Sequence, residues 1–315
     1  MNAILIGLGN IGLNYDFNFT KNILTHTKSL STNIKVNFLF AVDKSSKQRK
    51  KFMMKYKTST IKRLEEIKNR NSIELAIVST NTNSHLQTIN KLMLFKKLKI
   101  ILIEKPCGKN LDELLKIFKL CKKNKIKLFI NYNRLYDKNY SILSSYIKKL
   151  KRFKGIAYYS RGLMNNCPHI LSILSGLNLT KSSIRIIKHG VNPDFVIKFL
   201  NGEITFMNAP RKNISNNEIE ILDKSYKINS KNEINSFEIF KIKKDDLIKN
   251  NFKYNLIDKF KFNENYSQKN VLQQIISTNN TKLNHFISKT AFNVSMLLDK
   301  ITKINNLKKK DATNN

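Results

Sequence analysis

A lysine set directly before a proline at the end of an apolar run, Glu104-Lys105-Pro106, is the side chain in this sequence best suited to move a proton. The proline stops a β ladder and biases Lys105 toward an extended backbone. The amine then stands at the mouth of whatever crevice the strand ends on, and burial there lowers its pKa toward that of a proton shuttle. The alternative is a solvated surface lysine, ordinary in a chain with 58 Lys and Arg. A second set suits a different task. Ala3-Ile4-Leu5-Ile6 runs straight into Gly7-Leu8-Gly9-Asn10-Ile11-Gly12. In that order Gly7 allows a tight turn, Gly9 lets a pyrophosphate approach the backbone, and Gly12 lets a helix pack close. A helix starting there adds free N–H groups and a positive dipole end. The apolar stretch Val36–Val42 ends at Asp43, the residue type that accepts hydrogen bonds from adenosine ribose hydroxyls. It lies 43 − 12 = 31 residues beyond Gly12, against the usual ~20; a turn or N-cap role is the alternative. A carboxylate there repels a 2′-phosphate, which favours NAD over NADP, although Lys44 beside it weakens that preference.

These groups need strands that end side by side. Apolar runs at 3–6, 36–42, 75–78, 99–103 and 127–130 alternate with helical stretches expected at 23–30, 47–56, 61–68, 85–95 and 111–123. Five strands alternating with helices predict a doubly wound α/β domain over residues 1–132. The strand ends carry Ser79-Thr80-Asn81-Thr82, Glu104-Lys105-Pro106 and Asn131-Tyr132-Asn133-Arg134, and such carboxyl ends line the ligand crevice of a parallel sheet. Residues 133–315 form the second domain. Alternation at 184–187, 194–200, 203–207, 218–222 and 237–241, with Asn201-Gly202 as a hairpin turn, predicts a largely antiparallel open sheet in an α+β domain. Helices expected at 267–276 and 282–301 close the chain, and the tail from Lys308 is expected to fray.

The set GLGNIG, Val42-Asp43, Ser79-Thr80-Asn81-Thr82 with His85, IEKPCGKN and NYNRLYD resembles the Gfo/Idh/MocA family of NAD(P)-dependent sugar oxidoreductases over residues 1–137. The long segment 15–30, with THTK, is similar to members from surface-polysaccharide and nucleotide-sugar pathways. The resemblance implies a Rossmann domain, with Gly7, Gly9, Asn10, Ile11, Gly12 and Asp43 at the cofactor. It implies that Lys105 is the catalytic lysine and that Glu104 contacts the cofactor near its nicotinamide ribose. Thr80, Asn81 and His85 then line the cofactor site, and Asn133 and Arg134 sit by nicotinamide and substrate. It also implies a second catalytic stretch, which His169 and Asn165 fit, with Pro168 starting a helix. Ser172 stands where the family usually has Asp and Cys167 where it has Gly, which leaves open a catalytically impaired member acting as an NAD-binding regulatory or partner-binding protein. His26, His189 and His285 read as structural. The resemblance further implies a homo-oligomer, dimer or tetramer, formed through the flat face of the second sheet.

Composition narrows the classes further. The chain has 315 residues and 41% apolar content, enough for a substantial core. No apolar run approaches the ~20 residues a membrane helix needs, and the start lacks a basic n-region, so neither a membrane partner nor a signal peptide is expected. Cys107, Cys121 and Cys167 are too widely spaced for a metal site or a disulfide framework; a cytoplasmic protein without bound metal is expected. The net charge of +36 admits a polyanion partner. The lysines are spread evenly, without an arginine cluster or an aromatic-basic stripe, and Lys, Asn and Ile are abundant throughout, so compositional drift explains the charge and no nucleic-acid partner is expected. The sequence thus predicts an NAD-dependent enzyme moving a hydride between nicotinamide and a secondary alcohol or ketone of a sugar or nucleotide sugar.

Overall fold

The computed structural model describes residues 1–19, 21–209, 216–245, 248, 251–277 and 280–313. They form two compact units, Met1–Asp137 with Glu264–Phe292, and Lys138–Asn263 with Asn293–Asn315.

In the first unit β1 (Asn2–Ile6), β2 (Asn37–Val42), β3 (Ser59–Ile61), β4 (Leu75–Val78), β5 (Ile100–Ile103) and β6 (Lys127–Ile130) make a parallel sheet in the order β3-β2-β1-β4-β5-β6. Strands β4 and β5 are buried at every residue, as expected where both faces are covered. Their register puts the strand ends in one row. Ile6 pairs with Val42 and Val78, Val78 with Ile103, and Ile103 with Ile130. The next residues along each strand, among them Gly7, Asp43, Ser79, Glu104 and Asn131, therefore share one edge. Helix α4 (Leu111–Lys123) shows the local logic: Asn110 Oδ1 accepts from the Glu113 N–H at 3.0 Å, with Asp112 and Glu113 in the first turn and Lys122 and Lys123 in the last, as the helix dipole favours.

Three expectations change here. The stretch 61–68 is not a helix: Ser59–Ile61 is β-branched and adds an edge strand, so the sheet has six strands, and Leu64–Glu66 is a single 3₁₀ turn that buries Leu64. No regular helix follows the glycines. Asn10–Asn14 makes one five-residue π turn, and α1 (His26–Ser31) starts only where Thr25 caps it. Residues 264–292, expected in the second domain, belong to the first unit. Helix α7 (Ser267–Ile275) packs on α1 and on the 3₁₀ turn Asn133–Tyr136. Asn284 Nδ2 donates to the Leu128 carbonyl at 2.5 Å, and Lys127 Nζ to Asn280 Oδ1 at 2.6 Å.

In the second unit eight strands run in the order β14-β13-β12-β11-β7-β10-β9-β8. They are β7 (Phe153–Tyr159), β8 (Ser183–Lys188), β9 (Asp194–Phe199), β10 (Gly202–Asn208), β11 (Glu218–Leu222), β12 (Tyr226–Lys231), β13 (Ser236–Lys244) and β14 (Phe252–Lys261). All pairs are antiparallel except β7 with β10. The hairpin sits one residue before its expected place. Leu200-Asn201 make the turn and Gly202 is already in β10. Gly202 is required by close packing, because a Cβ there would lie 2.2 Å from the Phe153 carbonyl oxygen. Helix α5 (Asn139–Lys149), absent from the sequence reading, buries Tyr140, Leu143 and Ile147 along one face. Helix α6 (Cys167–Ile173) lies in this unit, and α8 (Thr281–Thr313) starts in the first unit and belongs to the second from Asn293; α8 is helical past the expected fraying point at Lys308. No helix among the described residues is long and apolar enough to cross a membrane.

Candidate active site

The glycine turn is fixed by both neighbouring strands. The Gly7 N–H donates to the Val42 carbonyl at 2.8 Å, and Ser79 Oγ donates to the Gly7 carbonyl at 2.7 Å. Gly7 has φ +101°, and a Cβ on it would meet the Ser79 carbonyl oxygen at 2.7 Å; one on Gly12 would lie 2.2 Å from the Gly7 oxygen. Gly9 differs, since its Cβ direction meets nothing within 4 Å. Protein packing explains the first and third glycines. The second faces open space, as a ligand-approach glycine should. Asp43 is anchored to this turn: Oδ2 accepts the Leu8 N–H at 2.7 Å and Oδ1 the Ser45 N–H at 2.7 Å. Beside it a cavity of about 690 Å³ lies between the π turn and α2 (Ser46–Met53), lined by Asn10, Asn14, Lys47, Gln48 and Lys51.

Farther along the same edge, polar groups converge at the ends of β4, β5 and β6. Thr80 Oγ1, Asn131 Oδ1 and Asn133 Oδ1 are buried with no hydrogen-bond partner among the described residues. Buried polar atoms are nearly always satisfied, so these await a polar ligand or water. With the open Gly9 and the anchored Asp43, the edge fits a dinucleotide. His85 is fully buried, at 0% exposure. Its ring nitrogens lie 3.1 Å from the Cys107 carbonyl and 2.9 Å from the Thr80 carbonyl, so it ties the end of β4 to the loop after β5. Asn81, by contrast, is exposed and Ile11 half-buried.

Lys105 is half-buried, and its peptide bond to Pro106 is cis. Burial pushes its amine below the ordinary lysine pKa, the nearby Arg134 adds to that, and Glu104 partly opposes it. Glu104 is deeply set. Burial pushes its carboxyl up, yet its contacts with His26 and Asn131 and the charge of Lys105 outweigh that and hold it below the usual carboxylate value. His26 Nε2 lies 2.8 Å from Glu104 Oε1, and Asn131 Nδ2 lies 2.5 Å from the same oxygen. Sequence reasoning did not find the partnership of His26, Asn131 and Gln268 around Glu104. The signal was present only as Thr25-His26 within the long segment 15–30.

In the second unit Arg161 (φ +57°) and Gly162 (φ +100°) turn the chain sharply after β7. Asn192 Oδ1 accepts the Leu163 N–H at 3.0 Å, and Asn165 Nδ2 donates to the Arg161 carbonyl at 3.0 Å. Asn305 pins the facing loop, donating to the Gly190 carbonyl at 2.9 Å. Between them lies a cavity of about 650 Å³ lined by Arg161, Asn165, Asn192, Asn208, Thr302 and Asn305, among others. Among the described residues its polar side chains are amides, a hydroxyl and one guanidinium, with no carboxylate. His169 is half-buried in the first turn of α6, behind Pro168. Ser172, the departure from the family's Asp, donates its hydroxyl to the His169 carbonyl at 2.8 Å. Cys167 is fully buried, and burial pushes its thiol pKa up. The structure thus gathers the glycines, Asp43, Thr80, Glu104, Lys105, Asn131, Asn133 and Arg134 on the first unit, and places Asn165 and His169 on the second.

A doubly wound parallel sheet, a glycine turn open toward a ligand and an acidic residue anchored to that turn define a dinucleotide-binding α/β protein. Residues 1–132 match the Gfo/Idh/MocA family model, described as "Oxidoreductase family, NAD-binding Rossmann fold". Over this segment the chain is similar to that oxidoreductase family and carries its NAD-binding Rossmann fold. No curated protein matches the sequence. Solved structures with the same fold include a dehydrogenase from Clostridium difficile, with TM-score 0.71 and 14% identity, covering 96% of this chain and 99% of that one. The super-repressor mutant of Gal80p from Saccharomyces cerevisiae has TM-score 0.72 and 13% identity, with 98% and 96% covered. A mutant 3-ketoreductase from Actinomadura kijaniata, solved with TDP-benzene and NADP, has TM-score 0.68 and 11% identity, with 96% and 97% covered.

Proposed function

We propose that the protein transfers a hydride between a nicotinamide cofactor and a secondary alcohol or ketone of a sugar or nucleotide sugar, in surface-polysaccharide or sugar metabolism. The observation that carries this is Lys105: its amine is depressed in pKa by burial, stands beside Glu104, and shares a strand-end edge with a glycine turn open to a ligand. NAD, when bound, supplies the hydride donor or acceptor. Gly7, Gly9, Asn10, Ile11 and Gly12 receive its pyrophosphate and Asp43 its ribose hydroxyls, while Thr80, Asn81 and Asn133 offer polar atoms along the edge. Lys105 takes the hydroxyl proton on oxidation and returns it on reduction. The family resemblance assigns Arg134 and Asn165 to orienting the substrate and His169 to aiding Lys105. The amide- and Arg-lined cavity of the second unit supports a hydroxyl-rich ligand, and the structure solved with TDP-benzene makes a nucleotide sugar a natural substrate to test.

We infer NAD rather than NADP from the Asp43 carboxylate. The exposed Phe252, Tyr254, Leu256 and Ile257 on edge strand β14 support assembly with a second copy of the chain. The buried thiols of Cys107, Cys121 and Cys167, all free, support a reducing, cytoplasmic setting. The test is purified protein with NAD and a panel of sugars and UDP- and TDP-sugars, read as absorbance of reduced cofactor. Turnover on one of them, lost in Lys105→Met, supports the reading. Tight NAD binding without turnover on any would favour the regulatory alternative, for which the absence of a carboxylate at Ser172 is the specific observation.

A further inference from the structure

The inserted segment of the first unit delivers a residue that its sequence marks only as structural. His26 opens α1 and is 1% exposed. Its place is fixed from behind. The buried Asp16 carboxylate accepts the Leu24 N–H at 2.6 Å, the Thr25 N–H at 3.0 Å and the Thr25 hydroxyl at 2.7 Å, and Thr25 then caps α1. From there His26 Nε2 reaches Glu104 Oε1 at 2.8 Å. Asn131 Nδ2 meets the same oxygen at 2.5 Å and also lies 3.1 Å from Gln268 Oε1. The Gln268 carbonyl accepts the Ser29 hydroxyl at 2.9 Å, which returns the network to α1. Both donors meet Oε1, and among the described residues none reaches Oε2. The carboxylate is thus gripped by one oxygen, while the next residue along the chain is the amine proposed to carry the proton.

We propose that His26 is a positioning residue for hydride transfer: through its Nε2 it holds the Glu104 carboxylate as the fixed counter-charge of Lys105. The inference rests on the functional reading above for its purpose and on geometry for its substance. A carboxylate this deep stays ionised only while donors compensate its lost hydration. Removing the His26 donor drives Glu104 toward its neutral form or lets it rotate. Lys105 then loses a charge that favours its ammonium, whereas burial and Arg134 still oppose it. The other groups that face Glu104 are His85 on the helix α3 (His85–Leu92), Tyr136 on the 133–136 turn, and the amide of Asn131, which also meets Gln268. None of these can replace an Nε2 donor delivered from α1.

The test compares His26→Gln, which keeps an amide donor at nearly the Nε2 position, with His26→Met, of similar bulk and no donor. The full chain is reductively methylated with ¹³C-formaldehyde, and the Lys105 resonance, identified by its loss in Lys105→Arg, is titrated by NMR. The expected result is a midpoint about one pH unit lower in His26→Met, a tenfold change in protonated fraction, and one near wild type in His26→Gln. On an active sugar, kcat of His26→Met falls about tenfold or more while the KM for NAD stays unchanged. A wild-type midpoint in folded His26→Met, or an equal displacement in both variants, overturns the proposal. Should His26→Met not fold, Glu104→Gln replaces it: this variant removes the counter-charge outright, and an unchanged midpoint there is equally fatal. Absence of turnover by the wild type on every sugar counts against the hydride-transfer reading alone, because the titration needs no turnover.

Discussion

An ammonium stripped of part of its hydration costs the fold stability at neutral pH, and Lys105 is such a group. Its pKa in the folded chain lies below its ordinary value of 10.5, so the unfolded chain keeps its proton to higher pH. Where the unfolded state binds more protons, stability rises with pH. The cost is therefore full below the folded midpoint and vanishes as pH approaches 10.5. Lys105→Met should accordingly raise the melting temperature at pH 7, with a gain that shrinks as the pH is raised. The same variant should lose about 10²–10⁴-fold in turnover, with NAD affinity by calorimetry little changed. A variant that loses both stability and turnover would mark Lys105 as a packing residue. Asp43 makes a separate case. Its oxygens hold two backbone N–H groups, and in the proposed function the remaining lone pairs accept from a ribose. Asp43→Ser removes the charge that repels a 2′-phosphate, beside a cavity lined by Lys47 and Lys51. The ratio of kcat/KM for NAD over NADP should fall about 10–100-fold, the scale of charged hydrogen bonds; an unchanged ratio would remove Asp43 from the cofactor site.

At the scale of the elements, the glycine turn separates two jobs that its sequence pattern merges. Gly12→Ala would put a Cβ 2.2 Å from the Gly7 oxygen, backbone that cannot yield cheaply. It should lower the melting temperature by about 4 °C or more and abolish NAD binding as a consequence. Gly9→Ala meets no atom within 4 Å, so it should leave the melting temperature alone and weaken NAD binding. Equal stability losses in the two variants would show that Gly9 also serves packing. Elements with a strong local signal were legible in the sequence. Helix α4 and strand β6 stand where their periodicity and apolar runs put them, and the strand-end row follows from the alternation of strands and helices. What was lost depends on tertiary context. Ser59–Ile61 is too short to announce itself and becomes a strand by pairing with β2. Strand β12 (Tyr226–Lys231) is largely polar, and β14 (Phe252–Lys261) mixes apolar residues with Lys, Asn and Asp; both exist through antiparallel partners. The contact of His26 with Glu104 spans 78 residues, and nothing in local spacing encodes it. The same holds for residues 264–292, which read as the end of the chain and fold with its beginning.

For the whole molecule the governing quantity is charge: 58 Lys and Arg against 22 Asp and Glu. Acidic groups are shared among the cations. Glu238, for example, lies 2.7 Å from Lys231 Nζ and 2.9 Å from Lys259 Nζ. Exposed pairs, such as Lys91 with Glu65 at 2.6 Å, contribute little each, and the surplus cations are left to repel one another across the surface. Self-repulsion of this kind destabilises the compact state. Raising ionic strength from about 10 mM to about 150 mM shortens the screening length from about 30 Å to about 8 Å, which weakens the long-range repulsion more than pairs in direct contact. The melting temperature should therefore rise with NaCl over this range. A fall would mean that the ion pairs outweigh the repulsion. The same titration bears on partners. DNA retained by a diffuse positive field should be shed steeply as salt rises, and NAD should not displace it, because the two would meet different parts of the surface. Retention that survives about 150 mM salt and is competed by NAD would instead place a polyanion at the glycine turn and Asp43, and would overturn the view that the charge is a property of composition rather than of a binding face.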